Sequence, residues 1–542
     1  MDGLVGALAL TLLCLLYAVR WARKKASLAD VPGPRPESFW LGNLAELHQE
    51  QAGEADFRYQ AEYGGVARIK GPLGVDMLWL SDPKALQYIY QTSGYNFPKQ
   101  PERRVLSGLI GDHGLTWADG ETHRRQRKVM LPAFGSPEAK ALLPIFEHYA
   151  EQVALRWREI LESSEGQTAV LNVIKLISPA TLDAIGEAAF DYKLGCLDNS
   201  ETELAQGYNS LVAGIFSSPS KSKLFWTSVA HYVPMGLSEW CYAHLPGKGL
   251  DKARQNKRAA HKVARQLLDM KSEAVLSSKG SRDVMSIIVQ ANASEHAKTK
   301  LADDEMIAQM RTIMLAGQET SSNTLSFALY ELARHPHYQD RLRAEIRTME
   351  GSVRERGHAA FSSLDFDGMP FLQAFVREVL RYHPVVPHNY RQALKDDVLP
   401  LSKPLRTLSG KLVNEIHIPE GTRLTLSIAA YNREKDIWGE DAHVFNPERF
   451  LDSTGKRGPT VGVFANILTF SGGVRACIGW RLAVIELQAF LCQLLSDFEF
   501  GMTEELKRLR RENALAMVPT LDGELEKGVQ LPLKVSFATR QD

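Results

Sequence analysis

The stretch from residue 303 to 335 constrains this chain more than any other. It keeps helical periodicity throughout, opens on Asp303-Asp304-Glu305 and stops at Pro336. Acids favour the positive end of a helix dipole, and proline ends the pattern. At ~1.5 Å per residue such a helix is about 50 Å long, the width of a whole domain. A second helix is bracketed by Pro370 and Pro384, and a third, apolar, runs from Gly479 to about Phe500. Three long helices must share one core, which predicts a single large, mainly α domain. Strand-like pieces are short: residues 65–69, 77–80 and 416–428, the last broken by Pro419-Glu420-Gly421. Residues 276–283 (LSSKGSRD) read as a surface loop.

Composition narrows the function classes. Hydrophobic residues at 44% and charged residues at 24% suit a globular chain with a large core, not a disordered one. Lys+Arg and Asp+Glu are both 64, a zero balance that argues against a dedicated nucleic-acid binder. The cysteines Cys14, Cys196, Cys241, Cys477 and Cys492 form no CxxC pair, as expected for a body in a reducing compartment.

Residues 3–19 (GLVGALALTLLCLLYAV) carry no charge. A helix of that length is about 25 Å long, at the short end of what spans a bilayer. Arg20, Arg23, Lys24 and Lys25 follow and hold the downstream chain in the cytosol. A cleaved signal needs its basic residues before the apolar run, whereas the early charge here is Asp2. The expected organisation is a transmembrane anchor over 1–20, a basic, proline-rich hinge over 21–37 and a body over 38–542. Asn292-Ala293-Ser294 is a sequon that a cytosolic body leaves unused.

Chemistry concentrates in residues 470–479, FSGGVRACIG. Cys477 sits in a Gly/Arg loop just before a helix, where the helix N-terminus and a nearby cation lower a thiol pKa. Gly472 and Gly473 allow a tight turn, and Gly479 lets a flat object approach the backbone. Phe470 can shield the sulfur, and Arg475 offers a fixed charge to a carboxylate. A lone thiolate on an apolar face is how haem iron is held when the ligand must push electron density. A structural zinc needs four ligands, and no second Cys or His lies nearby.

Phe470, Gly473, Arg475, Cys477 and Gly479 stand at the spacing F-x-x-G-x-R-x-C-x-G, which resembles the haem-binding signature of the cytochrome P450 family. Glu378 and Arg381 in FVREVLRYHP resemble its E-x-x-R pair, and Arg449 in FNPERF the third member of that charge cluster. Ala316, Gly317, Glu319 and Thr320 in AGQETS resemble its oxygen-activation motif. The chain is most similar to membrane-bound eukaryotic members with a fungal character. The resemblance implies the cytochrome P450 fold, a long central helix over haem with small β-sheets. It also implies haem b as cofactor, with Cys477 as axial ligand. Small residues at 316 and 317 would leave room for dioxygen, and Glu319 and Thr320 would deliver protons; the plain alternative for Thr320 is a hydroxyl bonded back one turn. Arg475, Arg127, His123 and Arg391 would face the haem propionates. His123 departs from the pattern, since tryptophan is common there and Trp117 lies six residues earlier. Glu378, Arg381 and Arg449, with partly buried neighbours, would fix the loop before the cysteine.

The implied reaction is monooxygenation of a lipophilic substrate, a terpenoid or other secondary metabolite. Dioxygen and a separate NADPH-cytochrome reductase are the implied partners, with cytochrome b5 as an optional second donor and no nucleic acid. Arg124, Arg125 and Lys128 read either as a solvated basic face or as a docking patch for an acidic reductase. The implied location is the endoplasmic reticulum membrane, body toward the cytosol. Substrate walls are expected at 105–115, 313–316, 385–388 and the turn near Met517-Val518. Residues 216–240, rich in aromatics, either dip into the membrane or form a helix-pair core. The alternatives are a broad hydroxylase of xenobiotics, steroids or aromatics, an oxygen-independent haem-thiolate isomerase or dehydratase, and a non-catalytic haem protein.

Overall fold

Residues 28–198, 219–276, 283–296, 298–451, 458–514 and 516–539 are described by the structure, a computed structural model. The expected anchor over 1–20 lies outside them, as do residues 21–27 of the hinge, 277–282 of the expected loop and 216–218 of the aromatic region. Among the described residues, no helix is long and apolar enough to cross a membrane.

The helices that build the site are α1 (Pro101–Gly111), α2 (Gly120–Met130), α3 (Leu143–Glu162), α4 (Ile174–Phe190), α5 (Asp303–Arg334), α6 (Pro370–Tyr382) and α7 (Trp480–Asp497). α5 is the long helix of the sequence. The Glu305 carboxylate closes its start by accepting from the Ala302 N–H at 3.1 Å. Most of its side chains are buried on every face, so α5 runs through the core rather than along it. α7 ends three residues before the expected Phe500. Phe498 there enters a strand, Phe498–Gly501, that pairs with Pro532–Phe537. α3, α4, α5 and α7 share the main core, where Trp157 meets Phe498 edge-on at 5.5 Å.

A four-stranded sheet forms the second layer, in the order β1 (Val66–Lys70), β2 (Asp76–Leu80), β4 (Arg423–Ser427), β3 (His388–Gln392). β2 and β4 are parallel and the other pairs antiparallel. Alternation sets the faces: Leu78, Leu80, Leu424 and Leu426 share one side with Arg391, while Met77, Trp79, Arg423 and Thr425 share the other with Tyr390.

The proline segment does not behave as a free hinge. Val31 is buried, Pro32 accepts from the Arg68 N–H at 2.8 Å, and a Cβ on Gly33 would lie 1.9 Å from the Arg68 carbonyl oxygen. Residues 29–33 therefore pack along β1 as part of the body. Asn292 of the sequon is buried, with its amide bonded both ways to the Leu301 backbone.

Candidate active site

A cavity of about 1090 Å³ lies between α5, the loop before α7, α1 and the sheet. Small-molecule sites usually span ~300–1,000 Å³, so this one has room for a large flat group and a second molecule. Cys477 lines it. The sulfur is open to the cavity yet deep among protein atoms, and burial pushes its thiol up; the Gly479 N–H and Arg127 pull the other way without winning. The expected lowering of this pKa is thus not what the protein alone produces, because desolvation outweighs one N–H and one cation.

The cysteine loop is held by backbone geometry. The Cys477 N–H donates to the Phe470 carbonyl at 2.8 Å, and Phe470 is buried. Gly473 has φ +58°, and a Cβ there would lie 1.8 Å from the Tyr90 carbonyl oxygen. Gly473→Ala is therefore expected to lower stability by about 1–3 kcal/mol, read as a fall in the denaturant midpoint. An unchanged midpoint would contradict the close approach. Gly479 differs: a Cβ there would meet only the Phe134 ring, at 3.8 Å, so protein packing alone does not require the glycine.

One end of the cavity is strongly cationic. Lys99, Arg127, Arg391, Arg475 and His123 all line it. Arg127 Nη1 donates to the Ala476 carbonyl at 2.8 Å, and His123 Nδ1 shares a hydrogen bond with the Tyr95 hydroxyl at 3.1 Å. Burial, then Arg475, Lys99, Arg127 and Arg391, hold His123 down to about 3, so it is neutral. Burial likewise pulls Lys99 well below its ordinary value, opposed by Asp119. Arg475 faces Asp119, yet its Nε, Nη1 and Nη2 are buried without a well-formed hydrogen bond. Asp119 cannot balance four basic side chains. Two carboxylates on a flat macrocycle would supply both the missing acceptors and the missing charge, so this end and the cysteine wall fit haem. Lys99 and Asp119 escape sequence reading because they join the cluster from outside any motif.

α5 forms the opposite wall. Thr320 lines the cavity and its hydroxyl donates to the Ala316 carbonyl at 2.7 Å, the bonded-back arrangement. Glu319 is not among the lining residues; burial pushes its carboxyl up to about 8. Gly317 lines the cavity and also packs against α4. A Cβ there would lie 2.6 Å from the Ile185 side chain. Ser321 also lines the cavity and donates to Glu486 of α7, a buried acid pushed up to about 8 by desolvation. Glu486 hides in the sequence as one more residue of an apolar helix. Its raised pKa has a sign: the folded state keeps this proton while the unfolded chain releases it near the ordinary value. Glu486 therefore costs stability progressively as pH rises from about 4.5 to about 8, then no further. Glu486→Gln is expected to gain on the native protein by a few kcal/mol across that window. Urea unfolding of both at pH 5 and pH 8 checks it; a constant difference would refute it.

Glu378 and Arg381 are fully buried, beyond the partial burial expected. Arg381 holds both Glu378 oxygens at 2.7 Å and donates to the carbonyls of Asn432, Ala442 and Val444. Arg449 reaches Glu378 at 3.3 Å and Asp441 at 2.8 Å. The link to the cysteine loop is Asn432, whose Oδ1 accepts from the Leu468 N–H at 2.8 Å, with Thr469 donating to the Leu380 carbonyl at 2.6 Å.

Other expectations shift. Leu106, Ile110, Ile313, Ala316 and Val385 line the cavity as expected, as do Asn513 and Ala514 at the turn that leads into the strand Met517–Leu521. Arg125 pairs with Glu305, Arg124 with Glu121 and Lys128 with Glu295, so these cations already have acids of this chain. Trp226 lines the cavity and is also exposed, while Leu224 is buried.

The cytochrome P450 family model matches residues 32–525. Cytochrome P450 monooxygenase 205 of Postia placenta is 32% identical over 525 residues, covering 94% of this chain and 92% of the relative. Cytochrome P450 monooxygenase 81 of the same organism is 32% identical over 551 residues, covering 99% and 97%. Cytochrome P450 monooxygenase claQ of Ampulloclitocybe clavipes is 30% identical over 519 residues, covering 94% of each chain. With that coverage, and a cavity that fits the prosthetic group, the chain belongs to the cytochrome P450 family of haem b monooxygenases.

Proposed function

We propose that this protein inserts one atom of dioxygen into a lipophilic substrate, a terpenoid or other secondary metabolite, and releases the other as water. One observation carries the reading: a single cavity joins the Cys477 sulfur, the cationic end and the Thr320 wall. Cys477 would hold the haem iron through its sulfur. Arg127, Arg391 and Arg475 hold the propionates, and neutral His123 donates to one of them. Phe470 would shield the sulfur, and Gly473 and Gly479 would give the cysteine loop the shape that the group needs. Bound haem supplies the electron-transfer and oxygen chemistry. Thr320 and Ser321 present hydroxyls to the cavity, and Glu319 and Glu486, protonated at neutral pH, are the stores that resupply them. Glu378, Arg381 and Arg449 hold the cysteine loop in place and take no part in the chemistry.

Electrons come from a separate NADPH-cytochrome reductase, with cytochrome b5 as an optional donor. Residues 1–20 anchor the protein in the endoplasmic reticulum membrane, with the catalytic body in the cytosol. An aromatic patch supports a membrane-facing mouth. Phe39, Trp40 and Trp226 are exposed, and Trp40 meets Phe225 at 6.0 Å and Phe39 at 5.6 Å, close after the anchor. The decisive experiment is turnover of a lipophilic panel in vesicles with reductase, NADPH and isotopically labelled dioxygen. One labelled oxygen atom per product is expected. Product formed without oxygen would replace this reading with an isomerase or dehydratase.

A further inference from the structure

Arg423 opens β4 and lines the cavity with a side chain only 5% exposed. Its Nη2 donates to Glu102 and, at 3.3 Å, to Gln100 Oε1. Nε and Nη1 are buried and find no hydrogen-bond partner among the described residues. A guanidinium cannot shed its charge, so idle buried donors cost free energy until an acceptor meets them. Glu102 does not complete it: its Oε1 meets Nη2 alone, and its Oε2 is turned to His231 Nδ1 at 2.9 Å.

Arg423 is distinct from the cations that fit the propionates. The strand register puts Arg391 opposite Leu424 and Tyr390 opposite Thr425, so Arg423 and Tyr390 share the face turned away from Arg391. Tyr390 also lines the cavity, with the Arg103 guanidinium 3.7 Å from its ring centre. Arg103 lines the cavity too. A second polar end thus exists, with Arg423 on the carboxylate of Glu102 and Arg103 over the Tyr390 ring.

We infer that Arg423, flanked by Arg103 and Tyr390, is a specificity-determining subsite that takes the carboxylate of a lipophilic acid. The apolar body of that acid then lies along the α1 and α5 walls toward Cys477. A carboxylate suits the site better than a neutral carbonyl, because charge-assisted hydrogen bonds to guanidinium are about twice as strong as neutral ones. The inference rests on the reading that this cavity holds the substrate.

The test uses the haem-loaded full chain and two ligand pairs, hexadecanoic acid and abietic acid, each against its methyl ester. Affinity is read by calorimetry and by the Soret shift. For at least one pair the acid is expected to bind at least tenfold tighter than the ester. That preference should vanish in Arg423→Gln, and in Arg423→Gln combined with Glu102→Gln. The acid–ester comparison in the unmodified protein stands even if a variant fails to fold. Equal binding of acid and ester, or binding of neutral lipophiles alone, would overturn the subsite and leave the substrate cavity intact. No binding by any lipophilic compound would overturn the cavity reading and the subsite with it.

Discussion

Arg381→Ala is expected to yield no stable haem-loaded protein. The change strands the Glu378 carboxylate, which is fully buried, and removes the donor from three backbone carbonyls. Breaking a buried ion pair costs ~3–5 kcal/mol and each orphaned acceptor ~1–3 more. The sum rivals the ~5–15 kcal/mol that holds a whole domain together. Arg381→Lys does not rescue it, because one ammonium cannot hold a carboxylate bidentately and reach three carbonyls as well. Soluble yield and the urea midpoint measure the effect. A variant within about 1 kcal/mol of the native protein would show that Arg381 is dispensable.

Cys477→Ser has the opposite profile. The side chain faces the cavity, and serine is close to it in shape, so the fold is expected to survive with a stability change within about 1 kcal/mol. Substrate oxidation should fall at least ~1000-fold, equivalent to about 4 kcal/mol of lost transition-state stabilisation. The carbon monoxide complex of the reduced variant should also lose the thiolate-type Soret band. Retained turnover would move the ligand role elsewhere.

These two residues also mark how far the sequence could be read. The cysteine loop was legible because its requirements are local: Gly473 must take a positive φ beside the Tyr90 carbonyl, and that demand fixes a residue type at a fixed spacing. The long helix was legible because periodicity and an acidic start are local too. Arg381 and Glu378 could be paired from their spacing, but their complete burial depends on residues 432–444 folding over them. Long-range features stayed hidden. β3 pairs with β4 across an intervening hairpin, and only that pairing separates Arg391 from Arg423 onto opposite faces. Glu486 meets Ser321 only after α7 crosses α5. The residues 29–33 looked like a connector because proline spacing says nothing about the Arg68 N–H that docks them. The contact of Gly317 with Ile185 of α4 is likewise invisible in the sequence. The Cys477 thiol was expected to fall because helix end and cation are visible in sequence, while the desolvation that outweighs them is not.

The central claim is that Cys477 is the sulfur that ligates haem iron. Iron-edge X-ray absorption on the purified, haem-loaded protein tests it most directly. The account predicts one sulfur in the first coordination shell of the native protein and none in Cys477→Ser. A shell of nitrogen and oxygen alone in the native protein, or a sulfur that persists in Cys477→Ser, would contradict it.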